Sequence, residues 1–164
     1  MPDVRFDEGD VGPTLDNGVL RVKVHLQKGT FDVIDLGSGR TVLSDAGVAV
    51  SLREGPTFRT RGDELEFSGT KDVDDKHGHG VSMILLRETD TDEPELSVTI
   101  TLYDGHPYAI VRVNHIEEYL VGDGHFLRGF PEYPVHFVRP VYTVGYEIEL
   151  PAAHARNLLC LDQP

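Results

Sequence analysis

Residues 18–26 read GVLRVKVHL, and the period of that stretch decides the fold class. Leu20, Val22, Val24 and Leu26 fall on one side of an extended chain, and Arg21, Lys23 and His25 fall on the other. That is the pattern of a strand with one dry and one wet face. The same alternation returns at TFDVIDL (30–36), GVAVSL (47–52), ELEF (64–67), VSMILL (81–86), LSVTITLY (96–103), YAIVRVNHI (108–116) and VYTVGYEIEL (141–150). Turn signals separate these runs: DNG at 16–18, LGSGR at 36–40, EGP at 54–56, TDTDEP at 89–94 and YDGHP at 103–107. LGSGR and the turn inside TLYDGHPYAIVRVN each read as a hairpin, because glycine supplies the positive φ angles such turns require. Only AAHARNLLCL (152–161) reads as a short helix. Many short strands with almost no helical period predict an all-β chain, an antiparallel β-sandwich.

With 164 residues the chain reads as one domain, 1–164, large enough to hide roughly 70% of the surface its unfolded chain exposes. Residues 1–13 are polar enough to be partly disordered. The single cysteine, Cys160, excludes an internal disulfide and a cysteine-based zinc site. The acidic start, MPDVRFDEGDVGP, lacks the apolar run of a signal peptide, and no segment has the apolar length to cross a bilayer. A soluble, cytoplasmic protein is expected, with no membrane partner. The formal net charge of −13, from 28 acidic and 15 basic residues, opposes a phosphate backbone, so no nucleic-acid partner is expected.

Several constellations carry possible chemistry. His77 and His79, preceded by KDVDD at 71–75, have the His-x-His spacing of a metal pair. The glutamate that cupin metal sites place shortly after the pair is missing, because the next one is Glu88. The stretch fits a solvated loop that releases the chain through Gly78 and Gly80 into VSMILL, so no metal and no cofactor is expected. Glu147 and Glu149 share one face of a strand, but Tyr146, Ile148 and Leu150 take the apolar side, and a solvated face is the better reading. Ser38 sits in a hairpin and not in a nucleophile elbow. RGD at 61–63 is a chance match. The segment 119–142, with three prolines and six aromatic residues, breaks the alternation and reads as a functional loop. Its His125, Phe126, Phe130, Tyr133 and His136 combine flat apolar faces with polar tips, which suits stacking on a sugar ring as well as packing. Absence of tryptophan counts against the sugar reading.

The order of features resembles the N-terminal β-sandwich of glycoside hydrolase family 36, the α-galactosidase and raffinose-synthase group, and more broadly the galactose-mutarotase-like supersandwich. LDNGVLRVKVHLQKGTFDVIDLGSGRTVLSDAGVAVSL carries the likeness first, then HGHGVSMILL and ELSVTITLYDGHPYAIVRVNHIEE, over about residues 15–118. The resemblance implies an accessory domain that helps shape a sugar pocket, the chemistry belonging to two aspartates of a following barrel. No room for such a barrel exists before Pro164, so a detached or truncated domain without independent catalysis is expected. Carbohydrate is the expected ligand, with His106 of the HPY stretch added to the loop residues as a sugar contact. A catalytic glycoside hydrolase domain, or a second copy of the chain, is the expected protein partner. HPY is also similar to the H-x-Y stretch of aldose epimerases, but Ala-Ile-Val follows it here in place of Phe-Asn-Leu, so no catalytic role passes to His106. The alternatives are a small epimerase using His106 or His115 with Glu117, and a purely structural or oligomerising sandwich.

Overall fold

The computed structural model describes residues 3–52, 57–87, 96–115, 119–121, 125–127, 144–149 and 159–161. In chain order the strands are β1 (Arg5–Asp7), β2 (Thr14–Asp16), β3 (Leu20–His25), β4 (Thr30–Asp35), β5 (Arg40–Leu52), β6 (Thr57–Arg59), β7 (Glu66–Asp75) and β8 (Gly78–Arg87). Then come β9 (Leu96–Tyr103), β10 (Ala109–His115), β11 (Tyr119–Val121), β12 (His125–Leu127), β13 (Val144–Glu149) and β14 (Leu159–Leu161). One turn of 3₁₀ helix, Leu26–Lys28, is the only helical element among the described residues. None of these is a helix long and apolar enough to cross a membrane.

The chain is all-β and builds two main sheets. The first runs β1-β2-β3-β4-β5-β13, with β6 also paired to β5; the second runs β14-β10-β9-β8-β7. Every pairing is antiparallel except that of β14 with β10. The alternation read in GVLRVKVHL is realised in β3, where Leu20, Val22 and Val24 are buried while Arg21 is exposed. These three join Leu15, Phe31, Val33 and Val48 from the first sheet and Met83, Leu85, Val98, Ile100, Leu102, Val111 and Val113 from the second in one apolar core. An antiparallel β-sandwich results. Each fully buried aliphatic side chain of this kind contributes roughly 1.5–3 kcal/mol, so this shared interior, more than any turn, holds the sheets together.

Both hairpins read from glycine turns form as expected, β4–β5 around residues 36–39 and β9–β10 around 104–108. Four expectations change. Within 1–13, Arg5–Asp7 is a strand paired residue for residue with Asp16–Thr14. KDVDD is strand and not loop, because β7 runs to Asp75 and only Lys76 and His77 form the turn into β8. Leu159–Leu161 adds a parallel strand to Ala109–Val111 where the sequence suggested helix. Inside the 119–142 segment, β11 and β12 pair with each other, so that stretch is in part a small ladder.

Candidate functional site

Two adjacent turns at one end of the second sheet gather the densest set of chemically capable side chains among the described residues. The β7–β8 turn supplies Asp75, His77 and His79, and the β9–β10 turn supplies Tyr103, Asp104, His106 and Tyr108. Their neighbourhood follows from register: β8 pairs with β9 so that Gly80 lies opposite Tyr103, which brings the two turns side by side. Gly80 is required there, since a Cβ at that position would collide with the Leu102 carbonyl. Gly105, at φ 65°, allows the tight reversal that places Asp104 and His106 on either side of the turn.

Asn17 locks the second turn from the other sheet. Its side-chain nitrogen donates to the Tyr103 carbonyl at 2.7 Å and to the His106 carbonyl at 2.8 Å. The same side chain's oxygen accepts the Val19 and Leu20 backbone N–H groups at 3.0 and 2.8 Å. All four hydrogen-bonding positions of the amide are filled, and the residue is fully buried. One asparagine therefore ties the β2–β3 turn to the β9–β10 turn across the sandwich.

Within the cluster Tyr103 is buried completely and its hydroxyl donates to Asp75 at 2.8 Å. The other Asp75 oxygen accepts the His77 backbone N–H, also at 2.8 Å. Partial burial on its own would raise the Asp75 carboxyl, but these two bonds and nearby positive charge outweigh it and hold the group below its ordinary value. The ring of His77 lies 5.2 Å from that of Tyr103, and its Nδ1 lies 3.2 Å from the Tyr108 hydroxyl. His77 Nε2 is buried with no partner among the described residues. A buried N–H without an acceptor costs more than a bare lone pair, so the tautomer that donates from Nδ1 to Tyr108 fits best.

Two features face outward. The half-buried rings of His106 and Tyr108 pack 5.2 Å apart at 32°. Beside them, exposed His79 places Nδ1 2.9 Å from Asp104. That hydrogen bond, then the charge of Asp104, then Asp72 and Asp74, hold the imidazole above its ordinary value. For Asp104 burial pulls upward, but the bonds from His79 and from the Val4 backbone N–H, at 2.9 Å, win, and its carboxyl sits low. Asp104 thus clasps the N-terminal segment as well as orienting His79.

The structure brings His77, His79 and His106 of the sequence-predicted residues into one cluster. His77 and His79 engage different partners, and no group of three or more His, Cys, Asp or Glu among the described residues could hold a metal ion. For His125 and Phe126 the structure describes only backbone, in β12; Phe130, Tyr133 and His136 lie outside the described residues, as does Glu117. Glu147 and Glu149 occupy β13 opposite Ala49 and Gly47. Ser38 donates to Asp35 within its hairpin turn, at 2.6 Å. In the RGD stretch Arg61 bonds the Asp45 carbonyl and Asp63 accepts from Arg87 at 2.6 Å, so both charged residues are tied into the fold. Sequence reasoning passed over Asn17, Tyr103, Asp104 and Tyr108. The DNG and YDGHP turn signals marked their positions, but nothing in either motif announced that the two turns would meet.

The chain matches no model of a known protein family and no curated protein.

Proposed function

We propose that this sandwich is a carbohydrate-binding accessory domain, without catalysis of its own, whose contact surface is the His106–Tyr108 face beside the His79–Asp104 pair. The observation that carries the reading is that juxtaposition. A sugar presents an apolar C–H face and a rim of hydroxyls, and here two half-buried rings adjoin an imidazole held as a donor and a carboxylate with spare lone pairs. The likeness of residues 15–118 to the family 36 sandwich supports a galactose-type sugar and a catalytic hydrolase domain as the working partner. A solitary cysteine is in keeping with a reducing, cytoplasmic setting.

Calorimetric titration with galactosides and oligosaccharides tests this. Saturable binding is expected, weakened about fivefold by His106→Ala or Tyr108→Ala, the size of effect that loss of one ring contact produces. No heat at millimolar sugar discards the reading, and binding indifferent to both substitutions moves the site elsewhere. The imidazole–carboxylate pair favours one second reading, an epimerase in which His79 moves a proton. Polarimetry of freshly dissolved α-galactose decides it: an anomerisation rate equal to that of buffer removes it.

A further inference from the structure

Asn17 is followed by Gly18, whereas the other two asparagines of the chain, Asn114 and Asn157, are followed by His115 and Leu158. Asparagine before glycine is the dipeptide most prone to spontaneous deamidation, because no Cβ on the following residue keeps its backbone nitrogen away from the side-chain amide. The clamp between the two turns demands that same dipeptide. Two carbonyls and two N–H groups must be met at once, which calls for a carboxamide, and Gly18 follows at φ 81°, where a side chain is strained.

Deamidation exchanges one bond for another. The Gly18 nitrogen, once it has given up its proton, bonds to Asn17 Cγ; the Cγ–Nδ2 bond breaks, and ammonia leaves with that proton. Water then opens the cyclic imide at either carbonyl, leaving aspartate or, with the main chain rerouted through the side chain, isoaspartate. No oxidant or reductant takes part.

Three features of the folded chain oppose this course. The Gly18 N–H donates to Asp16 Oδ1 at 2.8 Å, which holds the nucleophile in place and sets a negative charge against its deprotonation. The leaving nitrogen donates to the Tyr103 and His106 carbonyls at 2.7 and 2.8 Å and must abandon both before it departs. Asn17 is buried completely, so water has no access to the imide. The Val19 and Leu20 N–H groups do polarise the amide carbonyl, but they also fix its plane, and attack on Cγ needs that plane to turn.

We infer that Asn17–Gly18 is a covalent modification site closed by the fold: it deamidates in molecules whose β2–β3 and β9–β10 turns have parted, and the product does not restore the clamp. In place of two donors, the new carboxylate turns oxygens toward the Tyr103 and His106 carbonyls and carries an uncompensated charge into a buried position. An opening that lasts long enough is thereby made permanent at the turn that carries Asp104 and His106. This inference stands on the clamp alone and does not require that the turns bind sugar.

The test is incubation of the full chain in mildly alkaline buffer, with and without guanidinium chloride, with amide loss located by tandem mass spectrometry. In denaturant Asn17 is expected to react ahead of Asn114 and Asn157. In buffer its rate is expected to fall by at least about a hundredfold, since a buried, fully bonded turn opens that rarely. Val22→Ala, which trims a core side chain of β3 and leaves the reacting groups alone, is expected to raise the rate in buffer roughly tenfold. Returned to buffer, reacted chains are expected to unfold at a lower denaturant concentration than unreacted ones, or not to refold. A smaller slowing in buffer, a Val22→Ala rate equal to that of wild type, or reacted chains as stable as unreacted ones each overturn the inference. So does an unfolded chain in which Asn17 lags behind the other two asparagines.

Discussion

The β4–β5 hairpin and the β9–β10 hairpin are both glycine turns, yet they are held in different ways. At residues 35–39 the side-chain contacts are local, Asp35 accepting from the Gly37 N–H at 3.1 Å and from the Ser38 hydroxyl at 2.6 Å, and the Leu36 N–H reaches only the Val19 carbonyl of the same sheet, at 2.9 Å; a side chain at Gly39 would meet nothing. At residues 103–108 the decisive contacts arrive from far along the chain, from Asn17 and Val4. A turn closed by its own residues is free to sit in solvent and does no more than reverse the chain. A turn clamped from the opposite sheet can hold side chains in fixed relation, and it is there that the candidate site lies.

Breaking the clamp has the largest expected effect. Asn17→Ala removes four hydrogen bonds and strands buried partners, the Tyr103 carbonyl and the Leu20 N–H, so a loss of about 3 kcal/mol is expected in urea unfolding. A loss below about 1 kcal/mol would mean that the long-range clamp is dispensable and the contrast between the turns is superficial.

A smaller effect separates the turns by pH. Because folding raises the His79 pKa from 6.5, the pair's stabilisation from this side is complete below 6.5 and disappears as pH climbs through the folded value. Because folding lowers that of Asp104 from 3.8, the share on that side is complete above 3.8 and disappears as pH falls through its folded value. The difference in unfolding midpoint between wild type and His79→Gln should therefore be greatest between those two ordinary values and shrink on either side. A difference independent of pH would detach His79 from Asp104.

The smallest effect belongs to the local turn. Ser38→Ala should lower the unfolding midpoint only slightly, and only above pH 3.8, while the Asp35 carboxyl, held low first by Ser38 and then by the Gly37 N–H, titrates closer to its ordinary value in carboxyl NMR. A drop as large as that of Asn17→Ala would show that the exposed hairpin matters to the fold after all.

Legibility along the chain followed burial. β3, β8, β9 and β10 were readable because one or both of their faces enter the core, which imposes apolar residues on the sequence. β7 was not readable beyond its start: it is an edge strand, exposed or half-exposed throughout, so EFSGTKDVDD has no reason to alternate. β1, at the edge of the other sheet, is three exposed residues and equally silent. Of the candidate site, His77, His79 and His106 could be named as capable side chains, but not as neighbours. Asn17 looked like any asparagine of a DNG turn.

The amino-acid order alone determined that the chain is all-β, where most strands and both glycine hairpins fall, and which residues face inward, because side-chain period and turn chemistry are local properties of the backbone. Tertiary structure alone decided that the second hairpin is gripped by Asn17 and that the histidines and tyrosines of two turns converge. Those contacts depend on how one sheet is laid on the other and on strand register, and a hydrogen bond between residues 86 apart in the chain leaves no periodic trace in either segment.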